Sequence, residues 1–161
     1  HRNPQGAALH PTTGELWLVE HGPQGGDELN IARAGNNHGW PVRSYGCNYG
    51  APVGDTCRLG GGAHAPAYVE PLTYWVPTSI APSGLAFYTG AMFPEWKDSL
   101  FLGSLAGLSL WRLTVTGSAV TAREKVLASD IRVRIRAVAQ GPDGAIYFLE
   151  ETNGRILKIA R

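Results

Sequence analysis

Arg2 and Asn3 stand close in sequence to a short loop, Gly22-Pro23-Gln24-Gly25-Gly26, that runs straight into the acidic pair Asp27-Glu28. A loop with few large side chains leaves its carbonyl oxygens free. Two carboxylates at its end add anionic oxygen, and together these are the hard donors that Ca2+ takes. An arginine and a carboxamide just upstream suit an organic anion beside the metal, because a guanidinium offers a carboxylate a fixed fork of donors. The chemistry these residues point to is a calcium ion with an anionic ligand gripped next to it.

The elements that must position this chemistry are β-strands. The same local pattern appears at residues 6–20 and 136–150: a short apolar strand, a turn begun by Pro and closed by Gly, then a longer strand. Pro presets φ for such a turn and Gly takes the positive φ that closes it. A looser copy spans 83–103 with an insert at 89–97, where Ala91-Met92-Phe93-Pro94-Glu95-Trp96-Lys97 suits a single helical turn. Each copy is followed by a further strand, at 29–32, 108–113 and 155–159, and the second gains a hairpin partner from Ala119 to Leu127. Leu16-Trp17-Leu18-Val19 and Ile146-Tyr147-Phe148-Leu149 are continuous apolar runs, which belong to strands covered on both faces. Repeated antiparallel sheets covered on both faces predict an all-β chain of four-stranded blades of a β-propeller; a β-sandwich is the competing architecture. Three copies do not close a ring of the usual four to eight blades, so two blade faces should be bare. Residues 35–82 read as irregular and are long enough to be functional.

Composition supports a globular chain and narrows its partners. The 161 residues are 43% hydrophobic and 17% charged, with 21 Gly and 11 Pro spread between apolar runs. A net charge of +1 offers no electrostatic case for nucleic acid or an anionic membrane surface. No apolar run approaches the roughly 20 residues that span a bilayer. The chain opens inside its own motif, so residues 1–161 are expected to be the C-terminal part of a single propeller domain. Cys47 and Cys57 lie in a Gly-rich loop. A disulfide between them would imply an oxidising, periplasmic or secreted location; two free thiols would imply the cytosol.

Several segments in order resemble the soluble quinoprotein glucose/aldose sugar dehydrogenases. They are His1-Arg2-Asn3-Pro4-Gln5-Gly6, Glu20-His21-Gly22-Pro23, Asp27-Glu28-Leu29-Asn30 and Gly35-Asn36-Asn37-His38-Gly39-Trp40-Pro41. Tyr74-Trp75, Pro77-Thr78, Ala81-Pro82-Ser83-Gly84, 100–105, Arg134-Ile135-Arg136 and Gly141-Pro142-Asp143-Gly144 continue the likeness. Those enzymes are six-bladed propellers that oxidise aldoses at C1 to lactones by hydride transfer to pyrroloquinoline quinone (PQQ), with Ca2+. The resemblance implies about three blades here, the N-terminal part being upstream. It implies Arg2, Asn3, Arg134 and Arg136, with Ser104, Leu105, Ala106 and Gly107, as cofactor contacts, Arg2 also stabilising the oxyanion. It implies the Gly22 and Pro23 carbonyls on the cofactor's calcium, Glu28 and His38 at a second calcium, and Tyr74, Trp75 and Thr78 at the mouth for the aldose.

Two departures stand out. Ala106 replaces a lysine that the family often places against the cofactor, and His38 replaces an aromatic residue. The family's general-base histidine matches none of His1, His10, His21, His38 or His64, so the base is expected upstream and the chain alone is expected to be inactive. The alternatives are a non-catalytic calcium- or carbohydrate-binding propeller and a calcium-dependent lactonase-like hydrolase. A homodimer or a missing N-terminal half-propeller would cover the bare faces. The sequence does not indicate the electron acceptor.

Overall fold

The computed structural model describes residues 1–54, 56–126 and 129–161. Three antiparallel sheets follow one another along the chain. The first contains β1 (Pro4–Leu9), β2 (Leu16–Glu20), β3 (Asp27–Ala32) and β4 (Thr73–Trp75), in that order. The second contains β5 (Pro82–Phe87), β6 (Leu100–Ser104), β7 (Ser109–Thr116) and β8 (Ala119–Val126). The third contains β9 (Ile135–Gln140), β10 (Ile146–Glu150) and β11 (Arg155–Ile159). This is the blade pattern of a propeller, and the sandwich alternative is set aside.

The repeats fold as their turn residues dictate. At residues 141–144 the N–H of Gly144 donates to Gly141 at 3.0 Å, with Gly144 at φ 81°. The insert before β6 carries one 3-10 turn, Pro94–Trp96. Two sequence expectations need correction. The segment 35–82 is not wholly irregular, because β4 lies within it and pairs with β3. Three residues are too few to show a period, and the strand is defined by its partner. The hairpin partner of β7 is described to Val126, and Leu127 lies outside the described residues.

The continuous apolar runs have a simple cause. Along β6, Leu100 and Leu102 enter the cluster shared with Trp17, Val19 and Leu29 of the first sheet. Phe101, between them, enters the cluster shared with Ile135, Ile146 and Phe148 of the third. Successive side chains of a strand point to opposite faces, so a blade packed on both sides needs apolar residues at every position. Each such side chain contributes about 1.5–3 kcal/mol by leaving water. The two outer sheets show their open faces in Leu9 and Leu16 of the first and Leu149 and Ile156 of the third, with Ile156 73% exposed.

Strands β1, β5 and β9 are the inner strands, β5 packing against both others. They approach so closely that a Cβ on Gly6 would strike the Ser83 carbonyl, and one on Gly84 would strike the Ala137 backbone. Ser83 also donates its hydroxyl to the Ile135 carbonyl at 2.5 Å, stitching the second sheet to the third.

Candidate functional site

Strand register brings most of the predicted residues to one end of the fold. Pro4 pairs with Glu20, Pro82 with Ser104, and Glu150 with Ile135. The starts of all three inner strands therefore lie at the same end as residues 21–26, 105–107 and 151. Arg2 and Asn3 precede β1, and Arg134 precedes β9, so both arrive at that end as well.

Arg2 is held as an inward-facing cation. Its Nη1 donates to the His21 carbonyl at 3.2 Å and its Nη2 to the Tyr49 hydroxyl at 3.1 Å. The guanidinium lies 5.1 Å from the Trp40 ring centroid and 5.9 Å from that of Tyr49. Its Nε is buried and has no partner. A buried donor left over on an arginine suits an anionic ligand. Glu20 fixes the segment: its carboxylate accepts the N–H of Arg2 at 2.6 Å, the N–H of Asn3 at 3.3 Å, the His1 ring at 2.6 Å and the Asn30 amide at 2.9 Å.

The loop beside Arg2 is tight and buried. A Cβ on Gly22 would run into the carbonyls of Gly25 and Gly26, so only glycine allows the chain to fold back there. Asp27 serves the backbone at the loop's end. It accepts the N–H groups of Gly22 at 3.0 Å, Ile80 at 2.7 Å and Ala81 at 3.1 Å, and the Ser79 hydroxyl at 2.8 Å. Burial raises its pKa above the ordinary value despite these donors. Its oxygens are thus committed to protein.

Arg2, Gly22, Glu28 and His38 line one pocket. Glu28 is 6% exposed and His38 2%. Burial pushes the Glu28 carboxyl up to about 8 and lowers the pKa of His38. Among the described residues, no three His, Cys, Asp or Glu side chains converge as a ready metal cluster.

The other predicted cofactor contacts sit elsewhere along the same end. Arg134 and Arg136 reach the same side, and one carboxylate holds both: Glu151 accepts from Arg134 at 2.9 Å and from Arg136 at 2.7 Å. Both guanidiniums remain substantially exposed. The turn after β6 has fewer free groups than its sequence suggested. The Ser104 hydroxyl and the amides of Ala106 and Gly107 all donate to the Ile80 carbonyl, and the Leu105 amide donates to Ala81. Ala106 is exposed there.

The expected mouth residues divide. Thr78 is exposed in the loop that leads to β5. Tyr74 stacks on Tyr45 with ring centroids 3.7 Å apart. Trp75 is 4% exposed and belongs to the core between the first two sheets. Cys47 and Cys57 form a disulfide, with 5.2 Å between their Cα atoms. Two residues were missed by sequence reasoning. Tyr49 follows Cys47 by two positions, on a loop whose only signal was its cysteine and glycine content. Glu151 follows β10, and its N–H donates to the Arg134 carbonyl at 2.8 Å, a pairing visible only once the register is known.

Three antiparallel sheets around crowded inner strands, with arginines gathered at one end, define a portion of a β-propeller. The chain belongs to the glucose/sorbosone dehydrogenase family, whose model matches residues 1–158. It is 42% identical over 160 residues to the aldose sugar dehydrogenase YliI of Escherichia coli (strain K12), covering 99% of this chain and 42% of that protein. A crystal structure of a glucose dehydrogenase matches with a TM-score of 0.88 and 48% identity, covering 100% of this chain and 45% of that one. The PQQ-bound aldose sugar dehydrogenase of Streptomyces coelicolor matches with a TM-score of 0.69 and 27% identity, over 98% of this chain and 43% of its own. The chain thus spans less than half the length of these relatives.

Proposed function

We propose that this chain forms the cofactor-holding face of a PQQ-dependent aldose dehydrogenase. The observation that carries the reading is the gathering of Arg2, Asn3, the Gly22-Pro23 loop, Arg134 and Arg136 at the end where the inner strands begin. PQQ is flat and bears three carboxylates, so it needs several guanidiniums on one side. The buried, unpartnered Nε of Arg2 fits an oxygen of such an anion. The tight loop at Gly22 fits a Ca2+ that takes backbone carbonyls. The PQQ-bound relative supports the same assignment.

PQQ, held by Arg2, Asn3, Arg134 and Arg136, would supply a hydride acceptor for the sugar's anomeric carbon, and a Ca2+ at the Gly22 and Pro23 carbonyls would supply Lewis-acid activation. The chain's own residues bind and orient. Arg2, fixed by Tyr49, the His21 carbonyl and two aromatic rings, presents a permanent cation where negative charge develops. Arg134 and Arg136 hold carboxylates from the other side, with Glu151 setting their forks. Thr78 and Tyr74 are assigned to the aldose.

Proton abstraction is assigned to a residue outside this chain's histidines. His21 Nε2 is bound to the Pro82 carbonyl at 2.7 Å, His1 is bound to Glu20, and His10, His38 and His64 are buried. The Cys47–Cys57 disulfide supports a periplasmic or secreted location.

The test is reconstitution. PQQ added with Ca2+ should give a protein-bound absorbance band that disappears when a chelator removes Ca2+. A band that persists without Ca2+, or none with it, would rule the reading out.

A further inference from the structure

A cleft of about 410 Å³ is lined by residues of the second sheet and of the segment that leads into the third. The turn after β6 and the first residue of β7 supply Ala106, Gly107 and Ser109 to it; β8 supplies Lys125, and the entry to β9 supplies Ile131 and Arg132. The polar groups of the turn are already spent. The amides of Ala106 and Gly107 donate to the Ile80 carbonyl, and the Ser109 hydroxyl donates to the Gly107 carbonyl at 3.0 Å. A Cβ on Gly107 would strike the Ser104 hydroxyl, so the turn is fixed as well as small.

The charge that remains is positive. No carboxylate lines the cleft, and both Lys125 and Arg132 are exposed. At Arg33, Arg112, Arg134, Arg136, Arg155 and Arg161 the chain sets a glutamate against the guanidinium. Among the described residues, Lys125 and Arg132 have no such acid. Lys125 is steered instead by an aromatic face, its Nζ lying 5.4 Å from the Trp111 ring centroid. Two cations at one cleft with no acid between them repel, and an anion bound there turns that repulsion into attraction.

The geometry points to a second anion site: Lys125 and Arg132 bind a small organic phosphate monoester in this cleft. A space of several hundred Å³ suits an organic molecule rather than a bare ion. A phosphate monoester carries about two negative charges at neutral pH, matching the two cations. Arginine forks two of its oxygens, and lysine adds a point charge. The small side chains of Ala106 and Gly107 leave room for the rest of the molecule. Arg2, Arg134 and Arg136 do not line the cleft, so the site is independent of the quinone reading.

The test is amide-resolved NMR of the 161-residue chain, titrated with glucose 6-phosphate and, separately, with glucose, inorganic phosphate and succinate. Glucose 6-phosphate should move the Gly107, Ser109 and Ile131 signals to saturation. Inorganic phosphate should move the same signals with lower affinity, and glucose should leave them in place. Lys125→Gln and Arg132→Gln should each weaken binding at least about tenfold. Arg132→Lys, which keeps the charge and loses the fork, should fall between. Arg134→Ala should bind as the unmutated chain does. Unsaturable shifts, tighter binding of succinate than of glucose 6-phosphate, or affinity indifferent to both glutamine substitutions would overturn the assignment. So would loss of binding in Arg134→Ala, which would put the anion in the site already described. Failure to bind PQQ with glucose 6-phosphate binding intact would reject the quinone reading and leave this one standing.

Discussion

The Asp27 carboxylate accepts the backbone N–H of Ile80 at 2.7 Å, and through that bond the loop of the first blade is locked to the entry of the second. The same side chain serves Gly22, Ser79 and Ala81. Asp27→Ala would leave these donors buried and unserved. We expect a loss of about 3 kcal/mol, read as a lower urea midpoint with little change in slope. Asp27→Asn, which keeps one acceptor, should fall between the two.

The loop closed by Cys47 and Cys57 presents Tyr49 to Arg2. The chain-entropy estimate for so short a loop is roughly 2–3 kcal/mol. The double substitution Cys47→Ser/Cys57→Ser should lower stability by about that amount. Tyr49→Phe removes only the hydroxyl that accepts from Arg2. It should weaken anion binding at Arg2 while leaving the urea midpoint within about 0.5 kcal/mol of the unmutated chain.

Much of this arrangement was legible in the sequence. The Pro–Gly turns and the continuous apolar runs of β2 and β10 announce blades, because both signals are local. Arg134 and Arg136 announce a shared side through the period of a strand. What was illegible depends on contacts between distant segments. β4 exists because β3 offers an edge. Trp75 reads as a mouth residue until the packing of the second blade covers it. Asp27 reads as a loop anion, yet it accepts a backbone N–H from 53 residues away.

Gly22 offers a test of the calcium loop. Gly22→Ala would push a methyl against the carbonyls of Gly25 and Gly26. Ca2+ affinity measured by calorimetry should fall at least about tenfold, or ~1.4 kcal/mol. Unchanged affinity would place the calcium elsewhere.

Acid sensitivity should appear in the third blade. The bond from Lys158 holds the Asp143 carboxyl down to about 2, helped by the Ala145 N–H and the Tyr147 hydroxyl. A depressed carboxylate stabilises the fold above its ordinary pKa and loses that contribution as pH falls through the folded value. Between pH about 4 and 2, the unmutated chain should lose stability that Asp143→Asn does not have to lose. Urea midpoints across that range for the two proteins check the sign, and salt should shrink the difference, because the pair is exposed.

Three arginines from two blades are proposed to form one grip on an organic polyanion. Its most direct measurement is the affinity for PQQ, in saturating Ca2+, of the unmutated chain and of Arg2→Ala, Arg134→Ala and Arg136→Ala. One PQQ per chain is expected, with a loss of at least about tenfold for each substitution. Binding that is indifferent to all three would contradict it.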